Sequence, residues 1–212
     1  MNTKNKTNNM NKILFITGTP GVGKTTVADK FNTILSQDYD SKLIKINDLA
    51  IENGLIKGED LEKGYKIVDI DKLSKKLNLI INDFFNINDS KSSLNSKIVI
   101  VEGHLSHLCD IEANNIHVDF DFKVVVFRLN PDILQKRLFS RNYSKNKVYE
   151  NLEAEALGVC SVEAYENHGE NVQEIDTSDL KVSDVLDILK AVLFNQKQFP
   201  IGSVDFIQWI LD

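Results

Sequence analysis

The sequence predicts an α/β domain: a parallel sheet with helices on both faces. Three observations point there. Short apolar runs alternate with longer stretches of helical pattern. The first run passes into a glycine-rich turn that opens a helix, "FITGTPGVGKTT" at residues 15–26. A later run closes on a carboxylate, "IVIVEGHLSH" at residues 98–107. With 212 residues and 42% apolar content, the chain can form one domain with a buried core.

In chain order, "MNTKNKTNNMNK" is polar and lacks the apolar core of a signal peptide, so residues 1–11 read as a disordered tail, with Met10 an alternative start. The domain then runs over 12–196. The apolar run 13–17 is the first strand, and the helix 24–36 follows its glycine turn. The run 43–46 is the second strand. A segment at 47–70 leads to a helix over 71–85. "NINDSKSSLNSK" (86–97) is a polar connection with no assigned chemistry. Strand three is 97–101 and strand four 123–127. A helix at 132–140, a short polar segment at 140–150 and a long helix over 147–167 come next. The fifth strand is 172–175, and a last helix covers 179–194. Residues 197–212 form an apolar tail containing Phe199, Phe206, Trp209 and Leu211, expected to pack on the domain. Serving as a docking helix for a partner is the lesser reading of that tail. No internal repeat is present.

The net charge of −6 argues against a broad nucleic-acid face, because such faces are basic. It suits a basic protein partner, and it is equally common in soluble enzymes. The two cysteines, Cys109 and Cys160, form no CxxC pair, which fits a reduced, cytoplasmic protein. No apolar run approaches the about 18 residues of a membrane helix.

Gly18, Gly23, Lys24 and Thr25 satisfy the phosphate-loop pattern GxxxxGK[ST], with a strand before and a helix after. Glycines let backbone N–H groups curl around a phosphate, and the helix N-terminus adds a positive dipole end. Lys24 can reach the β- and γ-phosphates, and the Thr25 hydroxyl can ligate Mg²⁺. A dinucleotide site using Asp48 on a ribose is excluded. The glycine spacing is wrong for it, and Lys24 and Thr25 would have no role. Glu102, at the end of the third apolar strand, is the acid expected beside Mg²⁺ or its waters. His104 would share that crevice. His104, His107 and Cys109 suggest zinc, but no fourth ligand is evident.

Only three of the 25 basic residues are arginine, Arg128, Arg137 and Arg141, and all lie in one stretch. Arginine's forked donors clamp phosphates in a way lysine cannot. Arg137 and Arg141 are four apart and share a helix face, so both can neutralise a transferring phosphoryl group. The segment 140–150 has the makings of a lid that shuts out water.

"GTPGVGKTT", "INDLA", "LEKGYKIVDIDKL", "VEGH", "RLFSRNYS…KVYENLEAEALG" and "EIDTS" occur in that order. Over roughly residues 13–178 the chain resembles the adenylate kinase 6-type family and its archaeal relatives. That resemblance implies a phosphate-loop fold of the nucleoside monophosphate kinase type, with a five-stranded parallel sheet of order 2-3-1-4-5. It implies transfer of the ATP γ-phosphate to AMP or other monophosphates, with Mg²⁺ and a side ATPase activity. It also implies a role in maturation of the small ribosomal subunit through transient binding of a ribosomal protein. By the same resemblance, Gly18, Gly21, Val22, Gly23, Lys24, Thr25 and Thr26 form the ATP loop, Arg141 is the lid arginine and Glu102 and His104 are the strand-end pair. Residues 47–70 would hold the monophosphate and 140–150 would be the lid. One position departs. Some relatives carry arginine after "DLA", where this chain has Ile51, and residues 47–70 contain only Lys57, Lys63 and Lys66 as cations. The alternative is therefore an ATPase switch that binds a ribosomal protein and has little kinase activity. A small-metabolite kinase is a third possibility, for which no polar acceptor pocket is marked.

Overall fold

Six of the seven residues of β1 (Asn11–Thr17) are buried, and that uninterrupted apolar run needs cover on both faces. The computed structural model, which describes residues 10–60, 65–87, 96–141 and 143–211, gives it that cover. β1 is the middle strand of a five-stranded parallel sheet ordered β2–β5–β1–β6–β7. The others are β2 (Asp40–Lys45), β5 (Lys97–Glu102), β6 (Phe120–Arg128) and β7 (Val172–Asp176). With the small hairpin β3 (Ile56–Asp60) and β4 (Tyr65–Val68) set aside, this is the expected 2-3-1-4-5.

Side chains alternate across a strand, so β1 feeds two cores. Leu14 and Ile16 meet Val27, Ala28 and Phe31 of α1 (Lys24–Leu35) and Val185 and Leu189 of α7 (Val182–Leu193). Ile13 and Phe15 meet Leu73, Leu77 and Ile81 of α3 (Ile70–Asn86) on the other face. The spacing 73, 77, 81 is one helical stripe. Register pairs Ile16 with Glu102 and Thr17 with Val126. The glycine turn and the carboxylate therefore leave the sheet at one edge, its carboxyl end, where ligands bind in open α/β sheets.

Several boundaries differ from expectation. Ile46 is not strand but the first residue of α2 (Ile46–Glu52), a helix the sequence reading lacked. The β3–β4 hairpin was also unforeseen, because "IKGED" and "YKIV" show no clean apolar alternation. The single helix expected over 147–167 is two, α5 (Lys145–Ala156) and α6 (Val159–His168). Gly158 breaks it at φ 67°, a left-handed conformation that glycine adopts without the steric cost other residues meet. A β-carbon there would also approach the Arg128 guanidinium to 3.2 Å. Before the two comes α4 (Pro131–Phe139), capped by Asn130, whose side chain accepts from the Asp132 N–H. Asn11 opens β1, so the described chain is already regular within the expected tail; residues 1–9, like 88–95 of the polar connection, lie outside the described residues.

The C-terminal segment lies against the domain. The Glu174 N–H donates to the Phe199 carbonyl, and the Gly202 and Val204 N–H groups donate to the Glu174 carboxylate at 2.9 and 3.2 Å. Phe199 and Trp209 are partly buried on the core, and the indole of Trp209 donates to Asp132 at 3.0 Å. The last turn, α8 (Gln208–Leu211), leaves Leu211 71% exposed. Among the described residues no helix is long and apolar enough to cross a membrane.

Candidate active site

The phosphate loop occupies residues 18–23 between β1 and α1. Gly18, at φ 130°, passes so close to β6 that a β-carbon would collide with the Phe127 carbonyl. Gly23 caps α1 at φ 112°, aiming the helix N-terminus into the loop. Val22 is buried in the core beneath.

Lys24 is 6% exposed, and its ammonium folds over the loop, donating to the carbonyls of Gly18 (2.7 Å) and Thr19 (3.0 Å). Burial lowers its pKa to about 8, against an upward pull from Glu102 and Glu155. Thr25 Oγ1 donates to Glu102 Oε1 at 2.9 Å, and Glu102 is itself 6% exposed. A hydroxyl and a carboxylate side by side beside a phosphate loop suit a hard divalent cation. Such an ion takes one or two protein oxygens and fills the rest with phosphate and water.

His104 follows two residues after Glu102. Burial, reinforced by the Lys24 charge, drops its pKa to about 4, so it is a neutral imidazole at pH 7. Lys24, Thr25, Thr26, Gly21, Gly23, Glu102, His104 and Arg141 all line one cleft of about 700 Å³. Its opposite wall is Asn47, Ala50 and Ile51 of α2 with Ile56, Lys66 and Val68 of the hairpin. Tyr143, Lys147 and Asn151, from the start of α5 and the residues before it, complete the mouth. Of the expected lid, Asn142 lies outside the described residues.

The three arginines part company. Arg141 is exposed and lines the cleft. Arg137 does not line it; its guanidinium donates to the Val22 carbonyl at 3.1 Å, bracing the loop from outside. Arg128 is 3% exposed and ion-paired to Glu155 (2.9 Å) and Glu174 (2.6 Å), so it is no part of a phosphate clamp. Sequence spacing could not separate a buried arginine from two surface ones.

The zinc grouping does not form. His107 is buried between Thr17 Oγ1 (2.6 Å) and Glu163 (3.0 Å), and burial pushes the Cys109 thiol up to about 12. Among the described residues no three His, Cys, Asp or Glu converge on a metal position. The sequence reading did not single out Asn47, Tyr143 or Asn151, nor the contact of Thr19 with Glu155. The i, i+4, i+8 spacing of Lys147, Asn151 and Glu155 was the available signal.

A family model described as "AAA domain" matches residues 14–158. A relative from Methanothermobacter thermautotrophicus, bearing the name "Putative adenylate kinase", is 37% identical over 94% of this chain and 99% of its own. A second of the same name, from Natronomonas pharaonis, is 36% identical over 91% and 96%. Among solved structures, thymidylate kinase from Candida albicans superposes with a TM-score of 0.53 at 16% identity, over 88% of this chain and 92% of that one, a likeness of fold.

Proposed function

Because the chain belongs to the AAA-domain family of phosphate-loop proteins, alongside these adenylate kinase-like relatives, we propose that it is a nucleoside monophosphate kinase. It transfers the γ-phosphate of ATP to AMP and, less selectively, to other monophosphates. The observation that carries this reading is the single cleft in which the phosphate loop, Glu102 and Arg141 face α2 and the hairpin. A hydrolase needs only the first of these walls; a kinase needs room for an acceptor opposite the donor.

The loop N–H groups and Lys24 hold the β- and γ-phosphates. Arg141 lies where it can offset charge on the moving group, and Arg137 keeps the loop in shape through Val22. Thr25 and Glu102 would hold Mg²⁺, which neutralises phosphate charge and orients the γ-phosphate. Neutral His104 can hydrogen-bond a phosphate oxygen or an attacking group without adding charge. Segment 140–150 closes over the donor and excludes water, so that the acceptor is not outcompeted. Reliance on ATP and AMP supports a cytoplasmic location, where those nucleotides are abundant.

A second reading has its own support. Ile51 lines the acceptor wall and residues 47–70 contain no arginine, so acceptor grip is built from lysine alone. On this reading ATP binding and slow hydrolysis switch the affinity for a small-subunit ribosomal protein, whose basic surface suits a chain of net charge −6. Product analysis with Mg²⁺ and ATP, with and without AMP, decides between them. Fast ADP formation that requires AMP supports the kinase. Phosphate release indifferent to AMP overturns it in favour of the switch.

A further inference from the structure

Behind the phosphate loop lies a buried polar network that nucleotide chemistry does not require. Thr19 Oγ1 donates to Glu155 Oε2. The other oxygen, Oε1, accepts from Arg128 Nε and from the Leu129 N–H, each at 2.9 Å. Arg128 goes on to Glu174 at 2.6 Å, where Ser161 also donates at 2.6 Å. Thr19, Arg128, Glu155 and Glu174 are all at most 3% exposed.

Glu155 stands where a carboxylate is doubly disfavoured. It is fully buried, and it sits in the last turn of α5, next to the negative end of the helix dipole. Arg128 offsets the charge but uses only one of the two oxygens. The second oxygen goes to the phosphate loop. Thr19 is therefore held at two points, its carbonyl by Lys24 and its hydroxyl by Glu155. A phosphate that draws the Lys24 ammonium away releases the first hold and leaves the second. Lys147 and Asn151 lie two turns and one turn before Glu155 on the same stripe of α5, and both line the cleft. One helix stripe thus touches the cleft mouth at one end and the back of the loop at the other.

We propose that Glu155 is a positioning residue for the phosphate loop, fixing Thr19 through its hydroxyl and tying loop geometry to α5, the helix whose opposite end lines the cleft mouth. This rests on reading the cleft as a nucleotide site. The test is direct binding of a fluorescent ATP analogue to the full chain at a temperature well below each variant's unfolding. Thr19→Ser keeps the hydroxyl and should bind within twofold of the parent. Thr19→Val removes it and should weaken binding about tenfold. Thr19→Ala, which leaves room for a water on Glu155, serves if the valine variant does not fold. In kinase assays the loss should appear in the KM for ATP and leave the KM for AMP within twofold. If Thr19→Val, or Thr19→Ala in its place, binds the analogue as the parent does, the positioning role is wrong and Glu155 merely pairs Arg128. If the parent itself fails to bind the analogue, the nucleotide-site reading fails instead.

Discussion

The Thr25 hydroxyl and the Glu102 carboxylate meet at 2.9 Å, joining the first turn of α1 to the end of β5 across the floor of the cleft. If this pair holds the metal, Glu102→Gln should raise the Mg²⁺ concentration needed for half-maximal turnover and cut maximal turnover about a hundredfold. Binding of ATP without metal should change little. Metal titration of parent and variant checks both. An unchanged Mg²⁺ requirement would remove Glu102 from the site.

Lys24 supplies a pH signature. Its native pKa of about 8 lies below the ordinary lysine value of about 10.4. Between those values the unfolded chain binds the extra proton, so nucleotide-free stability contributed by Lys24 rises with pH across that window. Phosphate binding favours the charged form, so the sign for ATP is opposite. Affinity should be level below pH 8 and fall above it, by up to about tenfold per pH unit. Calorimetry at pH 8.5 in two buffers of different ionisation enthalpy should detect proton uptake on binding. Lys24→Ala should abolish turnover.

His104 works the other way along the scale. Its native pKa of about 4 is below the ordinary value of about 6.5, so it is buried neutral. As pH falls from 6.5 towards 4 the unfolded chain gains a proton first, and stability is lost. His104→Asn should shrink the drop in melting temperature between pH 7 and pH 4.5. It will not remove the drop, because burial also lowers His107 and His168. Parallel melting curves for parent and variant over that range would contradict the assignment.

On the acceptor wall, Lys57 is spent on Asp69 at 3.3 Å, whereas Lys66 lines the cleft. Lys66→Ala should raise the KM for AMP about tenfold with the KM for ATP unchanged. Lys57→Ala should leave both within twofold. The reverse order in steady-state kinetics would move the acceptor phosphate to the other lysine.

Arginines of one sequence stretch should fail in different ways. Arg141→Ala, an exposed residue on the cleft, should cut turnover at least tenfold with a melting temperature near that of the parent. Arg128→Ala leaves two buried carboxylates without their cation and should destabilise by about 3–5 kcal/mol. Denaturant unfolding and turnover, measured on both, separate the roles.

The three central strands, β5, β1 and β6, could be read from the sequence because each carries a continuous apolar run, the mark of burial on both faces, whereas the edge strands β2 and β7 carry only short or interrupted ones. The loop could be read because its glycines and Lys24 are contiguous. What could not be read depended on tertiary partners. Arg128 differs from Arg141 only in having Glu155 and Glu174 nearby, from 27 and 46 residues downstream. Gly158 divides a helix whose pattern otherwise continues across it, and only its left-handed φ reveals the break. The β3–β4 pair is held by its own pairing, and its charged strands lack the alternation that marks a half-buried sheet.

The chain has a single tryptophan, and its indole is hydrogen-bonded to Asp132 in the first turn of α4, the helix that carries Arg137 and leads directly to Arg141. Ultraviolet emission from the protein therefore comes mainly from one fluorophore at the base of the arginine-bearing element. Any tilt of α4 during turnover alters that indole's surroundings, so stopped-flow fluorescence can follow closure in real time with no label attached.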